Sequence, residues 1–260
     1  MLAIERRNRI LAKLTMEGKV LVSDLSREFG VTEETIRRDL EKLEKEGLAT
    51  KTYGGAVRTE NMKADLPFYV RKQTNVEAKR YIASIISGMI NDGDYLMLDS
   101  STTALFVIKH ILHKKKITLI TNSIEILLEL SNKSGWTVIS TGGTLKEGGL
   151  SLLGYQAERM ISGFHVDMAI CSSKGIDIQN GITDSNELDA EIKKAFFNAA
   201  KKRVLAIDST KFDKSSFVKV CDISDVDMIV TDKCPPNPWQ EHLKACDVEV
   251  KYQPEPEESD

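Results

Sequence analysis

The chain has 260 residues, of which 41% are hydrophobic and 29% charged, with a formal net charge of -3. Those values exclude a disordered polypeptide, and the length suits one sizeable α/β domain with a small satellite. No apolar run reaches the ~18 residues of a membrane helix. Glu5, Arg6, Arg7 and Arg9 interrupt what would have to be a secretory leader, so the expected location is the cytosol.

Cys171, Cys221, Cys234 and Cys246 lack the short paired spacing of a zinc or redox site. They read as free thiols in a reducing compartment, with no metal and no cofactor expected. The charge is unevenly divided. Residues 1–58 carry 12 Lys/Arg against 10 Asp/Glu, and the remaining residues carry 24 against 29. An acidic body repels nucleic acid, so any DNA contact has to be concentrated on a local basic face and has to depend strongly on salt.

Ile4, Ile10, Leu11 and Leu14 form a stripe of helical spacing that Gly18 stops. Val22, Leu25 and Phe29 predict a short second helix, capped at Ser23 and ended by Gly30. Thr32 can cap a third helix with Ile36, Leu40 and Leu43 facing inward and Gly47 closing it. LATKTYGGAV then suits a small β wing turned at Gly54-Gly55. Residues 58–74 are polar and contain Pro67, which marks a linker with a short helical piece near Phe68 to Lys72.

From Glu77 helix and strand alternate. Helices are expected around Ile82 to Ile90, Ala104 to Leu112, Glu125 to Leu130 and Glu187 to Lys201. Apolar strands are expected at Tyr95 to Leu98, Ile117 to Ile120, Thr137 to Ser140, Val166 to Cys171, Val204 to Ile207 and Met228 to Val230. The expected fold class is therefore α/β: a winged helix-turn-helix over residues 1–57, a linker over 58–74 and a mostly parallel-sheet domain over 75–250. The residues 251–260 form an acidic tail with little to bury, expected to be disordered.

In a helix-turn-helix one short helix crosses the DNA backbone and a second presents its outer face to the major groove, where all four base pairs are distinguishable. VSDLSREF is the supporting helix here and TEETIRRDLEKLEKEG the recognition helix. With Ile36, Leu40 and Leu43 inward, Thr35, Arg37 and Arg38 open the exposed surface, and Thr32 begins it. Lys51 and Tyr53 of the wing can reach phosphate or the minor groove. Taken singly, the arginines also fit a solvated mixed-charge face paired to Glu33, Glu34 or Glu41, and the wing residues an ordinary hairpin surface.

Three polar segments follow strands in the second domain: Asp99-Ser100-Ser101-Thr102-Thr103, Thr121-Asn122-Ser123 and Thr141-Gly142-Gly143-Thr144. In a parallel sheet such loops converge on one crevice, the usual ligand position. Their hydroxyls and backbone N–H groups can cradle phosphate, and Asp99 can accept from sugar hydroxyls. Lys211, and less directly Lys174, can neutralise a phosphate. Ordinary turn and N-cap chemistry calls for the same Ser and Thr residues.

The sequence closely resembles the DeoR family of bacterial repressors. The likeness runs through ERRNRILAKL, VSDLSREFGVTEETIRRDLEKLEKEG with TIRRDL intact from Thr35 to Leu40, and YGGAV. It continues through LDSSTT, TNS, TGGTL, KGID, NGIT, DAEIKKA and DSTKF. The resemblance implies a winged helix-turn-helix with Arg37 and Arg38 at the operator, joined to an effector domain similar to ribose-5-phosphate isomerase. It implies effector roles for Asp99, Thr102, Thr103, Asn122, Gly142, Gly143 and Lys211, with Asp189, Glu191 and Lys193 as supports. Ser101 and Ser172 stand where relatives commonly have glycine, which alters the pocket's shape or its donors.

The function so implied is a repressor of carbohydrate genes that binds double-stranded operator DNA as a homo-oligomer and answers to a phosphorylated sugar. An isomerase-like enzyme carrying a DNA-binding domain, or a regulator sensing another metabolite, is the alternative. No Ser/His/Asp or metal constellation supports catalysis.

Overall fold

The computed structural model describes residues 1–59, 66–146 and 149–253. The chain divides into two compact units, Met1–Val76 and Glu77–Asp260.

In the first unit α1 (Ala3–Glu17) leads through β1 (Lys19–Leu21) into α2 (Val22–Phe29) and α3 (Glu33–Lys45). The hairpin β2 (Thr50–Thr52) and β3 (Gly55–Val57) and the short α4 (Phe68–Gln73) follow. Ile10, Leu11, Leu14, Leu25, Ile36, Leu40 and Leu43 close one small core. Glycines end the first two helices in the left-handed conformation, Gly18 at φ 77° and Gly30 at φ 64°, which costs little without a Cβ.

Several expectations need correction here. Ile4 is 61% exposed and lies outside the small core, to which α1 contributes Ile10, Leu11, Ala12 and Leu14. The second helix starts two residues early, with Leu21 at the N-cap and no side-chain cap bond, so Ser23 does not cap it. The segment 58–74 is not wholly a connection, since Val70 of α4 is buried in the small core. The wing has a third strand: β1 pairs with β3, and β3 with β2, all antiparallel.

The second unit begins with α5 (Val76–Ser87), β4 (Tyr95–Leu98), α6 (Thr102–Ile111), β5 (Thr118–Thr121), α7 (Ile124–Glu129) and β6 (Thr137–Ser140). It continues with β7 (Thr144–Leu145), β8 (Leu152–Leu153), α8 (Tyr155–Ile161), β9 (Val166–Cys171), β10 (Gly175–Asp177), β11 (Gly181–Asp184) and α9 (Glu187–Asn198). The last elements are β12 (Ala200–Ala206), β13 (Val218–Cys221), β14 (Met228–Val230), α10 (Asn237–Ala245) and β15 (Glu249–Lys251).

Among the described residues seven strands form one sheet in the order β15-β14-β12-β9-β4-β5-β6, and every neighbouring pair is parallel. Leu96, Met97 and Leu98 are each fully buried, so consecutive residues of β4 are covered on both faces, as parallel sheets require. Ala157 and Ile161 of α8, Phe196 of α9 and Trp239 of α10 pack with Ala169, Leu205 and Ile229.

The expected helix to Lys201 ends at Asn198, and Lys201 lies in β12. The proline-rich stretch after Pro235 holds α10, with Pro238 in the first turn where a missing N–H costs nothing. The acidic tail was expected from 251, but Lys251 is the last residue of β15, and residues 254–260 lie outside the described residues.

Candidate functional site: a recognition helix and a sheet edge

Thr32 caps α3 by accepting from the Thr35 amide at 3.3 Å. That bond starts the helix and leaves Arg37 and Arg38 on its exposed face. Each arginine reaches back one turn, Arg37 to Glu33 at 2.6 Å and Arg38 to Glu34 at 3.2 Å. These i,i+4 pairs are solvent-exposed and worth only ~0.3–0.5 kcal/mol, so they are easily exchanged for a phosphate or a base edge. Lys51 is tied more firmly: its Nζ lies 2.9 Å from Glu41 and its amide donates to Glu44 at 3.0 Å. The Lys51 hydrogen bond and charge lower the Glu41 pKa. Tyr53 is fully exposed at the wing turn.

The wing closes because position 55 has no side chain. A Cβ at Gly55 would meet the Val20 carbonyl oxygen at 1.9 Å, so only glycine lets β3 lie against β1. Beneath the recognition helix, Arg6 of α1 donates to Asp39 at 2.5 Å, and both are buried. Sequence reasoning missed this pair. The signal was available, since Asp39 falls three residues after Ile36 and four before Leu43, on the inward face.

In the second unit the chain runs from β4 outward to β5 and β6, then returns to place β9 on the other side of β4. That reversal, the topological switch point of an open parallel sheet, is where ligand crevices form beyond the strand carboxyl ends. The loops after β4, β5, β6, β9 and β12 all leave this edge from adjacent strands. They bring Asp99, Ser101, Thr102 and Thr103 alongside Asn122 and Ser123, Gly142 and Gly143, Lys174, and Lys211.

The individual groups differ in what they have left to offer. Ser101 and Ser123 cap α6 and α7, accepting from the Ala104 and Ile126 amides at 3.0 and 3.2 Å. Gly142 and Gly143 take φ of 64° and 102°, and a Cβ at Gly143 would lie 2.6 Å from the Leu153 carbonyl oxygen. Gly143 therefore has a packing reason of its own. Lys211 is half-buried in a 3-10 turn that starts at Ser209, and the Lys174 amide bonds to the Thr183 carbonyl at 3.0 Å. Thr102 and Thr103 are buried in the first turn of α6.

Asn122 is different. Its Nδ2 donates to the Leu152 carbonyl at 3.2 Å, while its Oδ1 is buried and has no hydrogen-bond partner. An acceptor in that position costs ~1–3 kcal/mol until a donor reaches it.

Asp99 is fully engaged and does not fit the expectation of an open acceptor for sugar hydroxyls. Oδ1 accepts from the Ser101 amide and Oδ2 from the Ser172 amide, each at 3.1 Å, and Lys193 Nζ lies 3.1 Å from Oδ2. It clasps the β4 and β9 loops together at the switch point. Lys193 also reaches Asp184 at 2.9 Å. Burial works against the Lys193 charge, but Asp184, Asp99 and Asp189 outweigh it and hold its pKa well above the usual lysine value. Burial likewise pushes Asp189 up, yet Lys193 and the Lys146 hydrogen bond at 2.6 Å bring it below the usual value. Glu191 turns to Lys194 at 2.6 Å. Asp184 was not anticipated; its signal is a carboxylate ending an otherwise buried strand.

A winged helix-turn-helix followed by a parallel-sheet domain with a polar carboxyl edge defines a DNA-binding transcription regulator with a separate sensor domain. The DeoR-like helix-turn-helix domain model matches residues 6–62, and the DeoR C terminal sensor domain model matches residues 74–233. The chain belongs to the DeoR family of transcriptional regulators, and it is not an enzyme.

The uncharacterized HTH-type transcriptional regulator YulB of Bacillus subtilis is 42% identical over 89% of this chain and 90% of its own. The putative aga operon transcriptional repressor of Escherichia coli O157:H7 is 32% identical over 95% of this chain and 92% of its own. The L-fucose operon activator of Haemophilus influenzae is 32% identical over 92% and 96%. Ribose 5-phosphate isomerase A of Methanocaldococcus jannaschii aligns at a TM-score of 0.39, with 13% identity over 54% of this chain and 55% of that one; a likeness that loose carries no argument. Among the described residues no helix is long and apolar enough to cross a membrane.

Proposed function

We propose that the protein is a cytosolic repressor of carbohydrate-metabolism genes, a homo-oligomer whose affinity for operator DNA is modulated by a phosphorylated sugar. Arg37 and Arg38, with Thr32 and Thr35 at the start of the same helix, meet the operator, and Lys51 and Tyr53 touch the flanking backbone. The phosphorylated sugar lies on the carboxyl edge of the large sheet. Thr102 and Thr103 offer hydroxyls there, Lys211 and Lys174 offer charge, and Asn122 accepts from a sugar hydroxyl. Asp99 and Lys193 hold the edge in shape.

The observation that carries the sensor reading is the buried, donorless Oδ1 of Asn122 beside four other polar loops at the switch point. Relatives named for the aga and L-fucose operons support a carbohydrate role, and the former supports repression.

The test is an operator titration at fixed salt across a panel of phosphorylated sugars and their unphosphorylated counterparts, paired with thermal unfolding of the full chain. One sugar phosphate is expected to raise the unfolding temperature and to change operator affinity 5- to 150-fold, a coupling of ~1–3 kcal/mol. Operator affinity that is unmoved by every member of the panel overturns the effector assignment and leaves DNA binding standing.

A further inference from the structure

Among the described residues β15 is the last strand of the seven-stranded sheet and pairs only with β14. The Glu249 amide donates to the Asp227 carbonyl at 3.1 Å, and the Lys251 carbonyl accepts from Thr231 at 2.9 Å. The odd-numbered residues thus spend their amide groups on β14. The alternation of a strand turns the N–H and C=O of Val250 outward. Glu249 and Lys251 share one face, with side chains 53% and 39% exposed. A hollow of about 570 Å³ flanks the same edge, lined by Gln240, Glu241 and Lys244 of α10 and by Val248, Val250 and Tyr252.

We propose that β15 pairs antiparallel with β15 of a second copy of this chain, across a two-fold axis at Val250. In that register Val250 faces its own counterpart and the two exchange both N–H···O=C bonds, as a hydrogen-bonded antiparallel pair does. Glu249 then stands opposite Lys251 of the other copy, and Lys251 opposite Glu249, so the strand is self-complementary in charge as an isologous contact demands. Val248 falls opposite Tyr252 in the same register, and both line the hollow. Three strand residues cannot supply the ~1,000 Å² of a specific interface; the hollow beside α10 supplies further surface. Glu249 now lies 3.4 Å from Lys251 and 4.0 Å from Lys202 of its own chain. Exchanging such exposed pairs for cross-strand ones costs little.

The proposal rests on the homo-oligomer reading above and names its surface. Sedimentation of the full chain over a concentration series tests it. Glu249→Lys alone and Lys251→Glu alone each set like charges opposite one another and are expected to raise the dissociation constant by about tenfold or more. Mixed in equal amounts, the two variants are complementary and restore the wild-type assembly, as does the double variant E249K/K251E; that restoration also excludes misfolding as the cause. Single variants that assemble like the wild type, or a mixture that restores nothing, overturn the β15 surface while leaving an oligomer to be placed elsewhere. That includes the case in which residues 254–260 of the chain cover the edge. A wild type that sediments as a single chain at every concentration overturns the oligomer reading itself.

Discussion

Asp39 of the recognition helix accepts from Arg6 of α1 at 2.5 Å, with side chains only 5% and 9% exposed. The bond locks the helix that carries Arg37 and Arg38 against the one that begins the chain. Removing one partner of such a pair leaves the other charge buried, so Asp39→Ala is expected to destabilise the first unit by about 3–5 kcal/mol. Replacing both with apolar residues of similar volume costs far less. Denaturant unfolding of the two variants checks this; equal stabilities would mean that the pair carries no such constraint.

Lys193 between Asp99 and Asp184 predicts a pH dependence. Its pKa is raised, so its stabilisation is fully present below the usual lysine value and is lost only as pH rises through the higher folded value. Asp189 is lowered, so its stabilisation is present above the usual aspartate value and is lost as pH falls through the lower folded value. Together they predict stability that this cluster leaves flat from about pH 5 to pH 10. In Lys193→Met the two buried carboxylates lose their cation. The variant is expected to be less stable by about 3–5 kcal/mol at pH 7. Thermal unfolding of the wild type and the variant at pH 7 reads the loss; a variant as stable as the wild type contradicts the arrangement.

Among the described residues the arginines of α3 pair with Glu33 and Glu34 on the exposed face. Arg37→Ala and Arg38→Ala are each expected to leave stability within about 0.5 kcal/mol and to weaken operator binding. A base contact costs about 1–3 kcal/mol and relaxes preference at one position, whereas a phosphate contact weakens all sequences alike and reduces the salt slope by about one. Glu33→Gln and Glu34→Gln act the other way, tightening binding to nonspecific DNA as a repelling charge is removed. Titrations at several salt concentrations separate these outcomes, and a double arginine variant that binds as well as the wild type would refute the placement.

At the sheet edge, Lys211→Ala is expected to weaken a phosphorylated effector much more than its unphosphorylated counterpart, because it removes a cation directed at the phosphate. Asn122→Ala removes the donorless acceptor and is expected to weaken both forms alike, by about 0.5–1.5 kcal/mol for a lost neutral hydrogen bond. Calorimetric titration of each variant with both ligands checks the division. Equal losses for the two ligands in Lys211→Ala would sink the phosphate assignment.

Much of this was legible in the chain because it depends on neighbours in sequence. The 3.6-residue spacing of Ile36, Leu40 and Leu43, the Thr32 cap and the positive-φ glycines at 18, 30 and 47 mark the helices and their ends. The apolar runs of β4, β9 and β14 appear at their observed bounds, because strands buried on both faces need largely hydrophobic sequence; β6 also falls at its expected bounds, although it is the partly exposed last strand of the sheet.

What only the tertiary structure decided are the relationships between distant residues. Short strands such as β1, β10, β11, β13 and β15 have three or four residues each, too few for a period to show, and exist because a partner strand lies beside them. The reversal that sets β9 beside β4 is a matter of chain order in space, and it brings Asp99 to Lys193, 94 positions along the chain. Sequence alone marked Asp99 as an acidic loop residue open to a ligand. Once burial removed its water, its lone pairs had to be filled by Ser101, Ser172 and Lys193, whereas Asn122 Oδ1, equally buried, was left without a donor.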